Sequence, residues 1–212
     1  MACHFQRLHN AILPDHSQET WNYYSEDHFT LVGPCAIFHN MIRKAAEEDV
    51  KRVASIYDEI LSEEENGNLT IGWERGVYPT EETALNAFRN GELFVLDEDG
   101  IVGAAIINKK QVDSYSLARW SVDAPDDEVM VLHTLVISPK ASGRGKGKEF
   151  VDFYEKYALE NNCRYLRMDT NERNSRARKL YSKLGYKEIG IVPTTFNGIE
   201  GVGLVLLEKT LN

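Results

Sequence analysis

Between Glu47 and Glu65 the apolar residues Val50, Val53, Ala54, Ile56, Tyr57, Ile60 and Leu61 recur at the three-and-four spacing that lines one face of a helix. Asn66-Gly67-Asn68 ends that pattern, because these residues favour helix-stopping conformations. Pro79-Thr80-Glu81-Glu82 opens a second helix that runs to about Phe88 and stops at Asn90-Gly91. The period then shortens. Glu92 to Leu96 and Ile101 to Asn108 read as strands around the turn Asp97-Glu98-Asp99-Gly100. A polar stretch, 109–127, carries Tyr115 and Trp120. Val129 to Ile137 is the most strand-like run and is apolar on both faces, which predicts a place in the middle of a sheet.

A glycine-rich segment leads from that strand into a helix over about Gly147 to Asn161. Arg164 to Thr170 reads as a strand, Asn174 to Leu184 as a helix closed by Gly185, and Tyr186 to Val192 and Val202 to Lys209 as two final strands. With Met41 to Lys44 as a short first strand, the order is strand, two helices, three strands, helix, strand, helix, two strands. That order predicts a mixed α/β sheet with helices on its faces. Residues 1–40 show neither periodicity and hold five of the six histidines, so they are expected to be an N-terminal extension to a domain of 41–212. The spacing of His4, His9 and His16 matches no metal-ligand pattern, and no metal is expected.

At 212 residues, 42% hydrophobic and 27% charged, the chain has the make-up of one soluble domain with a modest extension. No apolar run approaches the ~18 residues of a membrane span, and Met1 to Asn10 lacks the apolar core of a secretory signal, so a cytoplasmic protein off the membrane is expected. Cys3, Cys35 and Cys163 are scattered, which argues against a disulfide framework or a structural zinc site. A net charge of −9 argues against a general nucleic-acid binder.

The chemistry lies in Leu135-Val136-Ile137-Ser138-Pro139-Lys140-Ala141-Ser142-Gly143-Arg144-Gly145-Lys146-Gly147-Lys148. A strand, a tight glycine-rich loop and a helix follow one another without a gap. Glycines there let successive N–H groups converge at the positive end of a helix, a ready site for a pyrophosphate. Arg144, Lys146 and Lys148 are expected to add mobile positive charge. It is not a P-loop, since Glu149 stands where a magnesium-binding hydroxyl is needed. Nor is it a dinucleotide fingerprint: the spacing is GxGxG, late in the chain.

Leu135-x-Ile137-x-Pro139 followed by Ser142-Gly143-Arg144-Gly145-Lys146-Gly147 resembles the acetyl-CoA motif of the GNAT N-acetyltransferase superfamily, (Gln/Arg)-x-x-Gly-x-(Gly/Ala). Ser142 departs from it, standing where the family prefers Gln or Arg. Asn174-Ser175-Arg176-Ala177-Arg178-Lys179-Leu180-Tyr181-Ser182-Lys183-Leu184-Gly185-Tyr186 is similar to the family's N-x-x-A-x-x-L-Y-x-x-x-G-(F/Y). The resemblance covers Met41 to Lys209. It implies a mostly antiparallel central sheet with flanking helices, the acyl-CoA N-acyltransferase fold. It also implies direct acetyl transfer from acetyl-CoA to a primary amine, on a small molecule or on a peptide N-terminus or lysine; a homodimer is compatible with it. The alternatives are a non-catalytic acyl-CoA-binding or sensor module and another kind of nucleotide-binding domain.

The same resemblance implies roles for particular residues. The motif strand splays from its neighbour to open a slot, where backbone groups of Leu135, Val136 and Ile137 pair with the pantetheine, and amides from Ser142 and Gly143 to Lys148 hold the pyrophosphate. Asn174 bonds the pantetheine arm, or caps its helix. Tyr181 is the general acid for the departing thiolate, though its helical spacing also suits a core aromatic. His133 is the candidate base, an imidazole expected to titrate near ~6.5; other family members use a glutamate where this chain has Val131. Asp169 is a candidate for orienting or deprotonating the amine, with a surface or turn position as its plainer reading. Trp73, Tyr78 and Tyr115, with Glu74 and Trp120, fall in segments that wall the acceptor site.

Overall fold

The computed structural model describes residues 41–212, so the extension, its histidines, Cys3 and Cys35 lie outside the described residues. Seven strands form one sheet in the order β1-β2-β3-β4-β5-β7-β6. They are β1 (Met41–Lys44), β2 (Leu93–Asp97), β3 (Ile101–Asn108), β4 (Val129–Ile137), β5 (Tyr165–Asn171), β6 (Lys187–Phe196) and β7 (Ile199–Thr210). The helices are α1 (Asp49–Glu65), α2 (Glu81–Arg89), α3 (Lys146–Glu160) and α4 (Ser175–Lys183). Every neighbouring pair is antiparallel except β4 and β5, which need the α3 crossover to run parallel. The run with two apolar faces, Val129–Ile137, is the fourth of the seven strands in the sheet.

One face of the sheet packs on α3 and α4. Met130 and Leu132 of β4, Met168 of β5 and Val205 and Leu207 of β7 meet Phe150, Tyr154 and Tyr181 there. The other face is covered in two parts. The apolar stripe of α1 and Ala84 and Ala87 of α2 lie on Val95, Ala104 and Val136. The segment 109–127 lies over Val129, Val131, Leu204 and Leu206 with Tyr115 buried beneath it. That segment, polar in sequence, contains two short 3-10 turns, at Asp113–Leu117 and Asp126–Glu128. Arg167 clamps it: its guanidinium sits 4.1 Å over the Trp120 ring and donates to the carbonyl of Val122 and to Gln111.

Boundaries differ from the pattern by a residue or two at most ends. β6 is the larger departure, running on to Phe196 instead of stopping at Val192. Pro193 and two threonines interrupt the alternation there, but β6 is the sheet edge and pairs only with β7, where a missing N–H does no harm. The hairpin turns on Asn197 and Gly198, both at positive φ. No helix among the described residues is long and apolar enough to cross a membrane.

Candidate active site

β4 and β5 pair from Val129↔Tyr165 to Leu132↔Met168 and no further. β4 then continues on β3 to Ile137, and β5 continues on β7 to Asn171. The strands part between His133 and Asp169, and a slot opens in the middle of the sheet. A bulge turns β4 away at this point. Ala104 pairs with Val136 and Ile106 with His133, which leaves Ala105 opposite two residues, Thr134 and Leu135. Thr134 has φ +50°, a costly value for a β-branched residue. Gly103 makes the close approach possible, since a Cβ there would lie 2.9 Å from the carbonyl oxygen of Val136. A cavity of about 850 Å³ runs through the slot and is lined by residues from both faces of the sheet.

On the α3 side the cavity floor is Leu135, Val136 and Ile137, leading to the turn Pro139–Ala141 and then to Ser142 and Gly143. Gly143 and Gly145 hold φ +81° and +79°, and Gly145 is the residue that starts α3. The first intrahelical bond is donated by Glu149 to Gly145, so the amides of Lys146, Gly147 and Lys148 have no helical acceptor. They lie at the positive end of a 15-residue helix and suit an anion. The expectation of three mobile cations fails for two of them. Lys146 is buried and ion-paired with Glu98 and, at 3.0 Å, with Glu149; Lys148 pairs with Asp152 one turn on. Arg144 is exposed and makes no ion pair among the described residues, and its side chain does not line the cavity.

Across the slot, Asn174 lines the cavity and caps α4, its Oδ1 accepting from the amide of Ala177 at 3.1 Å. Two residues on, Arg176 donates to Ser142 Oγ. A guanidinium from α4 therefore stands beside the position where the motif departs from its pattern. Arg176 sits inside the second motif, but no local spacing links residues 142 and 176, so the pairing carries no signal in the linear sequence. Gly147 faces Leu180, so α3 and α4 start side by side around the cradle.

Tyr181 reaches the cavity from the α3–α4 face, buried against Tyr186 in an edge-on contact. Burial, and then the charge of Asp169, push its phenol above the ordinary value, so it keeps its proton. Asp169 comes from the opposite face. It is neither a surface nor a turn residue: it lines the cavity within β5, and Tyr115 donates to its Oδ2 at 2.8 Å. Its other oxygen has no hydrogen-bond partner among the described residues. Burial pushes the carboxyl up to about 6, against the pull of the Tyr115 bond. Tyr115 itself is buried behind Asp169, edge-on to Trp120, whose indole donates to the Tyr115 carbonyl; it does not line the cavity. Tyr78 does, bonded to Thr134 at the bulge and edge-on to Trp73, which also lines it. Glu74 lies outside the cavity and bridges Tyr78 through the backbone.

His133 lines the cavity but does not titrate near 6.5. Burial pushes it down to about 4. Its Nε2 lies 3.1 Å from the Lys110 carbonyl and 3.1 Å from Asn108 Oδ1. A carbonyl only accepts, so Nε2 carries a proton, and the lowered proton affinity leaves the ring neutral at neutral pH.

Residues 53–186 match the model of the acetyltransferase (GNAT) family. Solved structures with the same fold include a GNAT-family acetyltransferase from Streptococcus agalactiae, 22% identical, with TM-score 0.69 over 81% of this chain and 95% of that one. Another, from Listeria monocytogenes, is 23% identical, with TM-score 0.63 over 81% and 95%. A third, from Salmonella typhimurium, assigned as an acetyltransferase and solved with its cofactor acetyl-CoA, is 15% identical, with TM-score 0.61 over 82% and 95%. No curated protein sequence matches the chain.

Proposed function

The chain belongs to the acetyltransferase (GNAT) family, and on that premise we propose that it moves an acetyl group from acetyl-CoA directly to a primary amine, both bound at once. The observation that carries this reading is the slot between His133 and Asp169, entered by Tyr181 from one face of the sheet and by Asp169 from the other. The cradle suits the coenzyme: among the described residues three amides lack an acceptor and can hold a diphosphate, and the strand edge Leu135 to Ile137 has no partner strand and can take the amide-bearing arm. Asn174 bonds the arm, and Arg176 supplies the positive side chain that Ser142 cannot.

Acetyl-CoA supplies an activated acyl group with a thiolate leaving group. An alkylamine with pKa near ~10.4 arrives as the ammonium and must lose a proton before its nitrogen can attack. Asp169 accepts that proton, directly or through a water. Its value of about 6 leaves it ionised at neutral pH while keeping it a useful base. As the C–N bond forms and the C–S bond breaks, Tyr181 gives its proton to the sulfur, and the second proton that the nitrogen sheds on becoming an amide passes through water to restore the phenol. His133 remains the second candidate base, through its bare Nδ1, but its low value and tethered Nε2 favour a role in holding the amine-side wall. Tyr78 and Trp73 form that wall opposite Asp169. Bringing amine and thioester together supplies much of the acceleration.

The test is acetyl-CoA binding by thermal shift, followed by thiol release with a panel of amines. Binding with no turnover on any amine would favour the sensor reading instead.

A further inference from the structure

Among the described residues the cavity offers two carboxylates, and they are not equivalent. Glu92 is closed: Lys110 pairs with it at 2.6 Å and Asn108 donates to it at 3.1 Å. Asp169 has no ion pair among the described residues and shows one oxygen to the cavity. A bound acceptor therefore meets one free negative charge. Among the described residues no free cation faces the amine side: Lys110 is taken up by Glu92, His133 is neutral, and Lys146, Lys148 and Arg176 line the coenzyme side.

What surrounds the free charge follows from the sheet register. β5 pairs with β7 so that Asp169 is opposite Leu206 and Asn171 opposite Leu204. Val202, Leu204 and Ile199 of β7 line the cavity beside Asp169, with Phe196 from the β6 end of the hairpin and Val112 from the covering segment. The polar groups of this part, Thr170, Asn171 and Asn197, are uncharged, as are Asn86, Asn90 and Asn108 on the β2–β3 side, so none offers a second charge to an acceptor.

We propose that the acceptor is a monoamine, a single primary ammonium carried on an apolar body, with the ammonium at Asp169 and the body against Phe196, Ile199 and Val202. This rests on the reading of the site as an amine acetyltransferase. A polyamine would leave its further charges among apolar and uncharged side chains with no second free carboxylate, and a free amino acid would find no cation for its carboxylate among the described residues. Both costs select against those acceptors more than the apolar contacts select for the monoamine.

The experiment measures kcat/KM by thiol release from the full chain with four groups of acceptor. These are straight-chain and aryl monoamines of rising length, polyamines, free amino acids, and short peptides with a free N-terminus. We expect kcat/KM to rise about three- to fourfold per added methylene until the space beside Phe196, Ile199 and Val202 is filled, with polyamines and amino acids at least about a hundredfold below the best monoamine. Phe196→Ser should lower the value for the best monoamine about tenfold or more and leave the acetyl-CoA thermal shift unchanged; Phe196→Leu should recover most of it. Polyamines, amino acids or peptides as best substrates, or no dependence on chain length, would overturn the proposal and leave the acetyltransferase reading intact. Acetyl-CoA binding with no amine accepted would remove both.

Discussion

Tyr115 donates a 2.8 Å hydrogen bond to Asp169 from the buried side of the sheet face, while the other carboxylate oxygen looks into the cavity. The phenol is itself fixed, edge-on to Trp120, so the carboxylate is held in one orientation rather than left to rotate. Two opposed effects act on it. Burial raises its proton affinity and the Tyr115 bond lowers it, with burial the larger.

If Asp169 takes the proton, kcat/KM should rise with pH through a limb near 6 and level off above it. Asp169→Asn should lower kcat by about a hundredfold or more and abolish that limb. His133→Asn should keep it. A limb near 4 that vanishes in His133→Asn would assign the base to His133 instead.

The same carboxyl has a stability signature. Its folded value, about 6, exceeds the unfolded 3.8, so the folded chain binds the proton more tightly. That contribution is complete below the unfolded value and is lost as pH rises through about 6. Asp169→Asn should therefore stabilise the protein by about 1–3 kcal/mol at pH 7.5 and by little at pH 3.5, read by denaturant unfolding at both.

Tyr181→Phe keeps the aromatic packing against Tyr186 and removes only the hydroxyl. We expect kcat to fall by about a hundredfold or more while acetyl-CoA affinity changes less than about threefold. Unchanged turnover would take the acid role away from Tyr181.

Arg176→Ala should weaken acetyl-CoA binding about tenfold, and the loss should shrink as salt is raised. Arg178, two residues along α4, is already paired with Glu188, so Arg178→Ala should leave that affinity nearly unchanged. Isothermal titration at two ionic strengths checks both.

Gly145 sits at φ +79° with no atom within 4 Å of a built Cβ, so Gly145→Ala brings strain without a clash. The expected loss is about 1 kcal/mol, or about 2–4 °C in Tm, together with weaker acetyl-CoA binding. A normal Tm with normal affinity would mean the loop adapts.

The linear pattern determined the element order, the central place of Val129–Ile137 and the strand–loop–helix cradle, because each depends on residues close in sequence: periodicity, turn residues and glycines at fixed offsets. Even the departure at Ser142 was visible. What fills it was not, since Arg176 meets Ser142 only once α3 and α4 start side by side. The balance between His133 and Asp169 was likewise beyond the sequence. A side chain's proton affinity is set by burial and by partners from distant strands and loops, and those lowered the histidine and raised the aspartate. The slot was implied by the resemblance, but its cause belongs to the tertiary structure: a bulge at Thr134 steers one strand away from its neighbour, and pairing between strands has no local code.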